Sequence, residues 1–317
     1  MRYLGRKLLR LVFVVAAVTT LTFLLVALLP GDIAYLVVGP TATPAEVEAV
    51  REQLGLDRPM LVRYGEWLAA LAQGDLGVSL RTSEPVSEAI LSRLPVTLEL
   101  MLLAQVIAVA LAVPLGVLCA YRQNRWIDRA VTLAGFAMIS VPPFVMALVL
   151  IFTVALRLGW LPATGYVPLS EGLWDNLRTF ALPALSIALI EWVTLMRLLR
   201  NDMIMTLQED FIAMARAKGL PAWHILLRHA LRPSSFSLIT ILGLQVGTLI
   251  GGTVIIESIF ALPGVGRLLL TGIFSRDYVV VQGCILFIAV AYVLINFLVD
   301  LTYSFLDPRI RVGGRDG

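Results

Sequence analysis

The chain has 317 residues, 59% of them hydrophobic and 15% charged, with a mean hydropathy of +0.87 and a net charge of +3. An ordinary soluble domain carries roughly 25% charged residues, so this composition excludes a soluble globular protein and indicates one that spans a bilayer. A charge of +3 is too small to point to nucleic acid, and where the charges fall says more than their sum.

Arg2, Arg6, Lys7 and Arg10 precede 19 uncharged residues, Leu11 to Leu29. That run exceeds the roughly 7–15 residues of a signal-peptide core and no small-residue cleavage site follows, so it is read as a retained first span with its N-terminus inside. Residues 30–94 form a polar insert with nine acidic and five basic side chains. Thr43-Pro44-Ala45-Glu46 has capping-box spacing with proline at the first helical position, which predicts a helix to about Leu54. Asp57-Arg58-Pro59 opens a second helix, with Tyr64, Trp67, Leu68 and Leu71 at helical spacing and Gly74-Asp75-Leu76-Gly77 as its stop. A third is expected from about Pro85 to Leu94.

Four long uncharged runs follow: Leu100–Tyr121, Ala130–Leu156, Pro233–Ile256 and Tyr278–Val299, of 22, 27, 24 and 22 residues. About 20 suffice to cross a bilayer. Thr179–Met196, 18 residues interrupted by Glu191, brings the expected number of spans to six. With the N-terminus inside, the inner segments hold four basic residues before span one, three in Arg122–Arg129, six in Arg197–Arg232 and three after Asp307. The outer loop 158–176 holds none and 257–280 holds two. The excess of Lys and Arg on one side places both termini in the cytoplasm and the insert outside.

The inner segment 197–232 contains the longest polar interruption in the second half of the chain, Asp210 to Pro233. Phe211, Ile212, Met214 and Ala215 precede a Gly219-Leu220-Pro221 break, and Trp223, Ile225, Leu226 and Leu227 follow it. The pattern predicts a short amphipathic helix, a turn and a second helix leading into the next span. Such a pair either receives another protein or rests on lipid headgroups. Cys119 and Cys284 lie inside apolar runs and are read as small buried hydrophobes rather than a disulfide or metal site. His224 and His229 have no acidic or cysteine cluster near them in sequence, so no metal site is expected. No G-x-x-x-x-G-K-[ST] is present, and Lys7 and Lys218 are the only lysines.

Met214-Ala215, Gly219 and Leu231-Arg232-Pro233 resemble the EAA loop of ATP-binding-cassette importer permeases, and Ala215-Arg216-Ala217-Lys218-Gly219-Leu220 is similar to its dipeptide/oligopeptide/nickel form. Leu29-Pro30-Gly31-Asp32, Leu56-Asp57-Arg58-Pro59, Gly74-Asp75-Leu76-Gly77 and Leu94-Pro95-Val96-Thr97-Leu98-Glu99-Leu100 match the same branch. So do Glu257-Ser258-Ile259-Phe260 with Pro263-Gly264-Val265-Gly266, Arg276-Asp277-Tyr278, and Asn296 and Asp300 through Asp307-Pro308-Arg309-Ile310-Arg311. The motifs run in order nearly end to end.

The resemblance implies an all-α polytopic membrane protein with six transmembrane helices, an extracytoplasmic helical insert and a cytoplasmic coupling-helix loop. Its parts are 1–29 (tail and first span), 30–94 (insert), 95–306 (permease core, with coupling loop 197–232) and 307–317 (cytoplasmic tail). It implies a permease subunit in a bacterial or archaeal cytoplasmic (inner) membrane, paired with a second homologous permease as a heterodimer. Two ATPase subunits holding ATP and magnesium would sit inside and a substrate-binding protein outside. No cofactor is expected on this chain and no nucleic acid among its partners; it is not itself an enzyme. Asp210, Phe211, Ala215, Arg216, Lys218, Gly219, Leu220 and His224 are the expected coupling residues. The solute is a di- or oligopeptide, with nickel complexes, glutathione or other small peptidic molecules as alternatives.

The sequence departs from the family pattern twice. The glutamate that names the loop is Ala213 here, with Asp210 or Arg216 available instead, and Glu191 lies where a small or apolar residue is expected. A mid-span carboxylate is a functional candidate: Glu191 either lines the translocation path, meeting a peptide amino terminus, or hydrogen-bonds within the bundle or across the subunit interface. Pro142-Pro143 is expected to kink the third span and Glu257, Pro263 and Gly264 to stand at the outer mouth, so Pro142 and Glu257 join Glu191 as path candidates. Gly243, Gly247, Gly251 and Gly252 suit close helix packing, either within the subunit or against the partner permease. An ion-coupled secondary transporter is the rival reading, but Glu191 alone lies deep in a span and no internal repeat is evident.

Overall fold

A computed structural model describes residues 2–27, 34, 43–53 and 55–306. Among these the regular structure is helical, and the only β-type pairing is an isolated antiparallel bridge between Val78 and Pro85. In chain order the helices are α1 (Arg2–Ala27), α2 (Pro44–Gln53), α3 (Met60–Ala72), α4 (Val86–Tyr121), α5 (Trp126–Ile139) and α6 (Pro143–Leu150), the last continued by a π-helical stretch Ile151–Arg157. They continue with α7 (Leu173–Thr206), α8 (Asp210–Ala217), α9 (Ala222–Ile259), α10 (Val265–Ser275) and α11 (Tyr278–Leu306). The expected motifs at 29–32 and 307–311, and Leu54, lie outside the described residues.

Among the described residues, four helices are long and apolar enough to cross a bilayer: α4, α7, α9 and the Tyr278–Val299 part of α11. The predicted third span is not one helix. Its two halves, α5 and α6 with the π-helical extension, are bent by 101° at the break. The residue before a proline is driven from helical to extended geometry, and Pro142, which precedes Pro143, adopts φ −60°, ψ 146°. Counted as one broken span, the pair makes five. In α1 the described apolar segment is Val12–Leu24; the predicted first span runs on to Leu29, outside the described residues. The described helices thus account for four or five of the six expected spans.

Pro95 acts differently from Pro142. The segment from Pro85 to Leu94, expected as a separate helix of the insert, is the start of α4, which continues through Pro95 to Tyr121. A single interior proline deletes one backbone bond and bends a helix without having to end it.

The chain forms two compact units. One comprises residues up to Thr97 with Pro263–Leu294, the other Leu98–Leu262 with residues from Ile295 onward. In the first unit the predicted capping box is present: the Thr43 backbone N–H donates to Glu46 Oε2 at 2.8 Å and the Glu46 N–H donates to Thr43 Oγ1 at 3.4 Å. Phe23 of α1 packs on Tyr64 and Trp67 of α3 with ring centroids 5.1 and 5.7 Å apart, which uses the predicted aromatic stripe. The Gly74-Asp75-Leu76-Gly77 and Arg276-Asp277-Tyr278 motifs meet. Ser79 Oγ donates to Asp277 Oδ2 at 2.5 Å, and a Cβ on Gly77 (φ +87°) would stand 2.7 Å from Val279. Val86, Ile90, Val265, Val280 and Cys284 form the core of this unit.

The second unit is built on α7. Its buried face, including Trp192, Val193, Leu195, Met196, Leu199 and Met203, is the centre of the hydrophobic core. Gly116 and Gly135 let α4 and α5 close on it: their added Cβ atoms would lie 3.2 Å from Leu199 and the Met196 carbonyl, and 2.9 Å from Val193. A bidentate ion pair ties α5 to α7, with Arg200 Nε and Nη2 each 2.6 Å from an oxygen of buried Asp128. The Asn124 N–H adds a third hydrogen bond to that carboxylate at 2.9 Å.

Candidate functional site

The polar stretch after α7 folds as its periodicity predicts. Asp210 stands in the first turn of α8 and Arg216 in the last, each charge opposite in sign to the helix-dipole end it faces. Gly219 ends the helix with φ +73°: its N–H donates to the Arg216 carbonyl at 2.9 Å and the Leu220 N–H to the Ala215 carbonyl at 3.3 Å. This is the Schellman pattern. A Cβ on Gly219 would meet nothing within 4 Å, so backbone conformation and not space selects glycine. Pro221 caps the next helix, which begins as one α-turn, passes through a π-helical segment Ile225–Ala230 and continues as the long apolar part of α9. Short π segments occur often at functional sites.

Two faces of α8 differ in chemistry. Ile212 and Ala215 are buried and join the core that holds Met203, Ile225 and Leu238. Thr206 and Ser234 hydroxyls, 3.0 Å apart, pin α9, just past its π-helical segment, to the end of α7. The adjoining face, turned to the surface, exposes Phe211 and Met214, and Trp223 and Leu227 are exposed after the turn; Met214 is 60% and Trp223 63% accessible. The stretch is therefore anchored from beneath and presents apolar side chains among Asp210, Arg216 and Lys218, which are also exposed.

Of the expected coupling residues, Asp210, Phe211, Arg216, Lys218 and Gly219 lie on the surface, Leu220 and His224 are half-buried, and Ala215 points into the core. Met214, Trp223 and Leu227 were apolar positions of the predicted helices but absent from the expected coupling set. Their signal was the apolar spacing, which does not distinguish inward from outward positions on a helix that is apolar on both faces. The His224 and His229 rings lie 5.4 Å apart, centroid to centroid. Among the described residues no group of three His, Cys, Asp or Glu could hold a metal ion.

The path candidates fall in separate places. Glu191 sits within α7, and its Oε2 is buried without a hydrogen-bond partner among the described residues. Pro142 stands at the break between α5 and α6. Glu257 is fully buried near the end of α9, where its carbonyl accepts the Leu262 N–H at 2.8 Å and Ala261 turns the chain with φ +57°. Sequence reading missed Gln105, Gln245 and Asn296, each with at least one buried and unpartnered amide atom. Lone amides inside apolar runs carry no charge to draw attention.

Residues 112–312 match the family described as binding-protein-dependent transport system inner membrane component, and residues 1–101 match its N-terminal companion. A Brucella abortus protein described as a peptide transport system permease is 44% identical over 298 residues, covering 94% of this chain and 95% of that one. The dipeptide transport system permease protein DppB of Alkalihalophilus pseudofirmus is 36% identical over 329 residues, covering 98% and 99%. Among solved structures, an amino acid ABC transporter crystallised with histidines resembles the chain with TM-score 0.50 at 17% identity, over 70% of this chain and 94% of the other. That likeness concerns the fold alone.

Proposed function

Because the chain belongs to the family of binding-protein-dependent transport system inner membrane components, we propose that it is the permease subunit of an ATP-driven peptide importer. Relatives named as peptide and dipeptide permeases match it over nearly their whole length, which supports a di- or oligopeptide as the solute. The same machinery importing nickel complexes, glutathione or other small peptidic molecules is the alternative.

The observation that carries the mechanism is the two-faced α8. Its inner face is locked to the α7 core through Ile212 and Ala215, while its outer face offers Phe211 and Met214. An ATPase subunit seated on that outer face, and on Trp223 and Leu227 beyond the turn, would pull directly on the helices that cross the membrane. Closure of an ATPase pair then moves α7 and α9 as rigid bodies between two arrangements. In this reading ATP and magnesium are held by partner subunits, a second homologous permease completes a heterodimeric pore, and a binding protein delivers peptide from outside. The chain lies in the inner membrane with both termini in the cytoplasm. Glu191 lines the path, its buried unpartnered carboxyl oxygen facing the peptide's amino terminus.

Purification from the native membrane in mild detergent tests the proposal. ATPase subunits and a second permease should copurify, and peptide with its binding protein should stimulate ATP hydrolysis. A chain that purifies alone and moves solute without ATP would replace this reading with that of a secondary transporter.

A further inference from the structure

The turn that joins α4 to α5 and the first turn of α5 carry three arginines, Arg122, Arg125 and Arg129, all exposed. The one carboxylate among them is already committed. Asp128 is buried, each of its oxygens accepts from Arg200 of α7, and Oδ2 also accepts from the Asn124 N–H. No ion pair ties any of the three arginines to a described residue. This corner of the protein therefore presents three cations and no free anion to whatever covers it.

Its place in the fold limits what that is. Only residues 122–125 separate the end of α4 at Tyr121 from the start of α5 at Trp126, and four residues reach at most about 14 Å when fully extended. The turn cannot rise far from the ends of two apolar helices, so its arginines stand at headgroup depth. Tyr121 and Trp126 are exposed on either side of it, and amphipathic rings favour the boundary between hydrocarbon and water.

Beyond the turn, Trp126, Arg129, Leu133 and Phe136 recur three, four and three residues apart along one exposed stripe of α5. The other side of the helix, with Asp128 and Gly135, packs on α7. Along the stripe the chemistry passes from cationic to apolar, the order in which a phospholipid presents its phosphate and then its acyl chains. Arg197 of α7 borders the stripe, its guanidinium 4.7 Å from the Phe136 ring centroid, and adds a fourth cation. An acidic face of a soluble protein matches the arginines but not Leu133 and Phe136. Free phosphate leaves both apolar side chains uncovered, and a zwitterionic lipid brings a cation of its own. An anionic phospholipid matches both ends of the stripe. A guanidinium fork takes two phosphate oxygens at once.

We propose that the α4–α5 turn and the exposed stripe of α5 bind an anionic phospholipid, with its phosphate among Arg122, Arg125 and Arg129 and an acyl chain along Leu133 and Phe136. The bound lipid braces the end of α5 opposite its tie to Arg200. This site is additional to the peptide reading and does not depend on it.

The test uses the protein purified with the subunits that accompany it, stripped of lipid in detergent and given phosphatidylglycerol or phosphatidylcholine with the same acyl chains. Native mass spectrometry counts what stays bound. Wild type should retain phosphatidylglycerol in preference. Arg122→Gln, Arg125→Gln and Arg129→Gln should each lower that preference about fivefold, the value of one basic residue at an anionic surface. Leu133→Ser should weaken retention of both lipids and keep the preference. No preference in wild type overturns the proposal, as does a preference that survives the three substitutions together. Displacement of phosphatidylglycerol by an equal concentration of inorganic phosphate also overturns it, marking a site for the free ion. So does loss of an accompanying subunit from the single variants in phosphatidylcholine nanodiscs, which would mark the arginines as a protein contact.

Discussion

At single residues, small differences in surroundings separate positions that look alike in sequence. Gly243, Gly247, Gly251 and Gly252 form one stripe by spacing, yet an added Cβ on Gly243 would stand 2.6 Å from Val299, whereas Gly251 and Gly252 have open space. Gly247 is buried. The stripe therefore divides: its first part packs α9 against α11 within the subunit, and its last part is exposed. Gly243→Leu should destabilise the chain by about 1–3 kcal/mol through overpacking, seen as a lower thermal midpoint in detergent, while Gly251→Leu should not lower it. Equal losses would show that the stripe packs as a unit. Glu46 offers a second check at this scale. The Thr43 N–H and then its hydroxyl hold the Glu46 carboxyl below the usual carboxylate range. A lowered folded-state value means that the cap supports α2 above the ordinary glutamate range and is lost only as pH falls through the lowered value. Thr43→Val removes the hydroxyl but keeps the N–H, so the NMR titration midpoint of Glu46 should rise part of the way toward that of a free glutamate.

At the level of elements, prolines and glycines mark where helices change direction, and their local partners decide the outcome. Pro142 and Pro143 break a span because the second forces the first out of helical geometry; Pro95 stands alone and α4 passes through it. Gly219 is the turn on which the proposed coupling element depends. A side chain there must enter the left-handed region at a cost of roughly 1–2 kcal/mol, and a bulky one projects into the open space where an ATPase would seat. Gly219→Trp should leave the subunit inserted while separating ATP hydrolysis from uptake in the reconstituted complex. Undiminished uptake would show that α8 does not transmit the motion.

For the whole molecule, the proposed coupling runs between a surface helix and the transmembrane core. α7 connects the two: its buried face organises the second unit, its end is tied to α9 by Thr206 and Ser234, and Glu191 lies along its length. Glu191→Ala should reduce peptide uptake more than it reduces recovery of the assembled complex, measured on the same preparation. Normal uptake with poor assembly would move Glu191 from the path to a structural contact.

The sequence alone determined the class, the course of the apolar helices and the position of the polar interruption. These follow from local properties: run length, capping pairs such as Thr43 and Glu46, and the left-handed turn that glycine favours at 219. Tertiary structure decided which of two apolar faces points outward, so that Ala215 lies in the core while Met214 and Trp223 are exposed. It also decided that Gln105 is buried with no hydrogen-bond partner among the described residues. Each of those outcomes depends on what another segment of chain places beside the residue, and spacing along one helix carries no record of that neighbour.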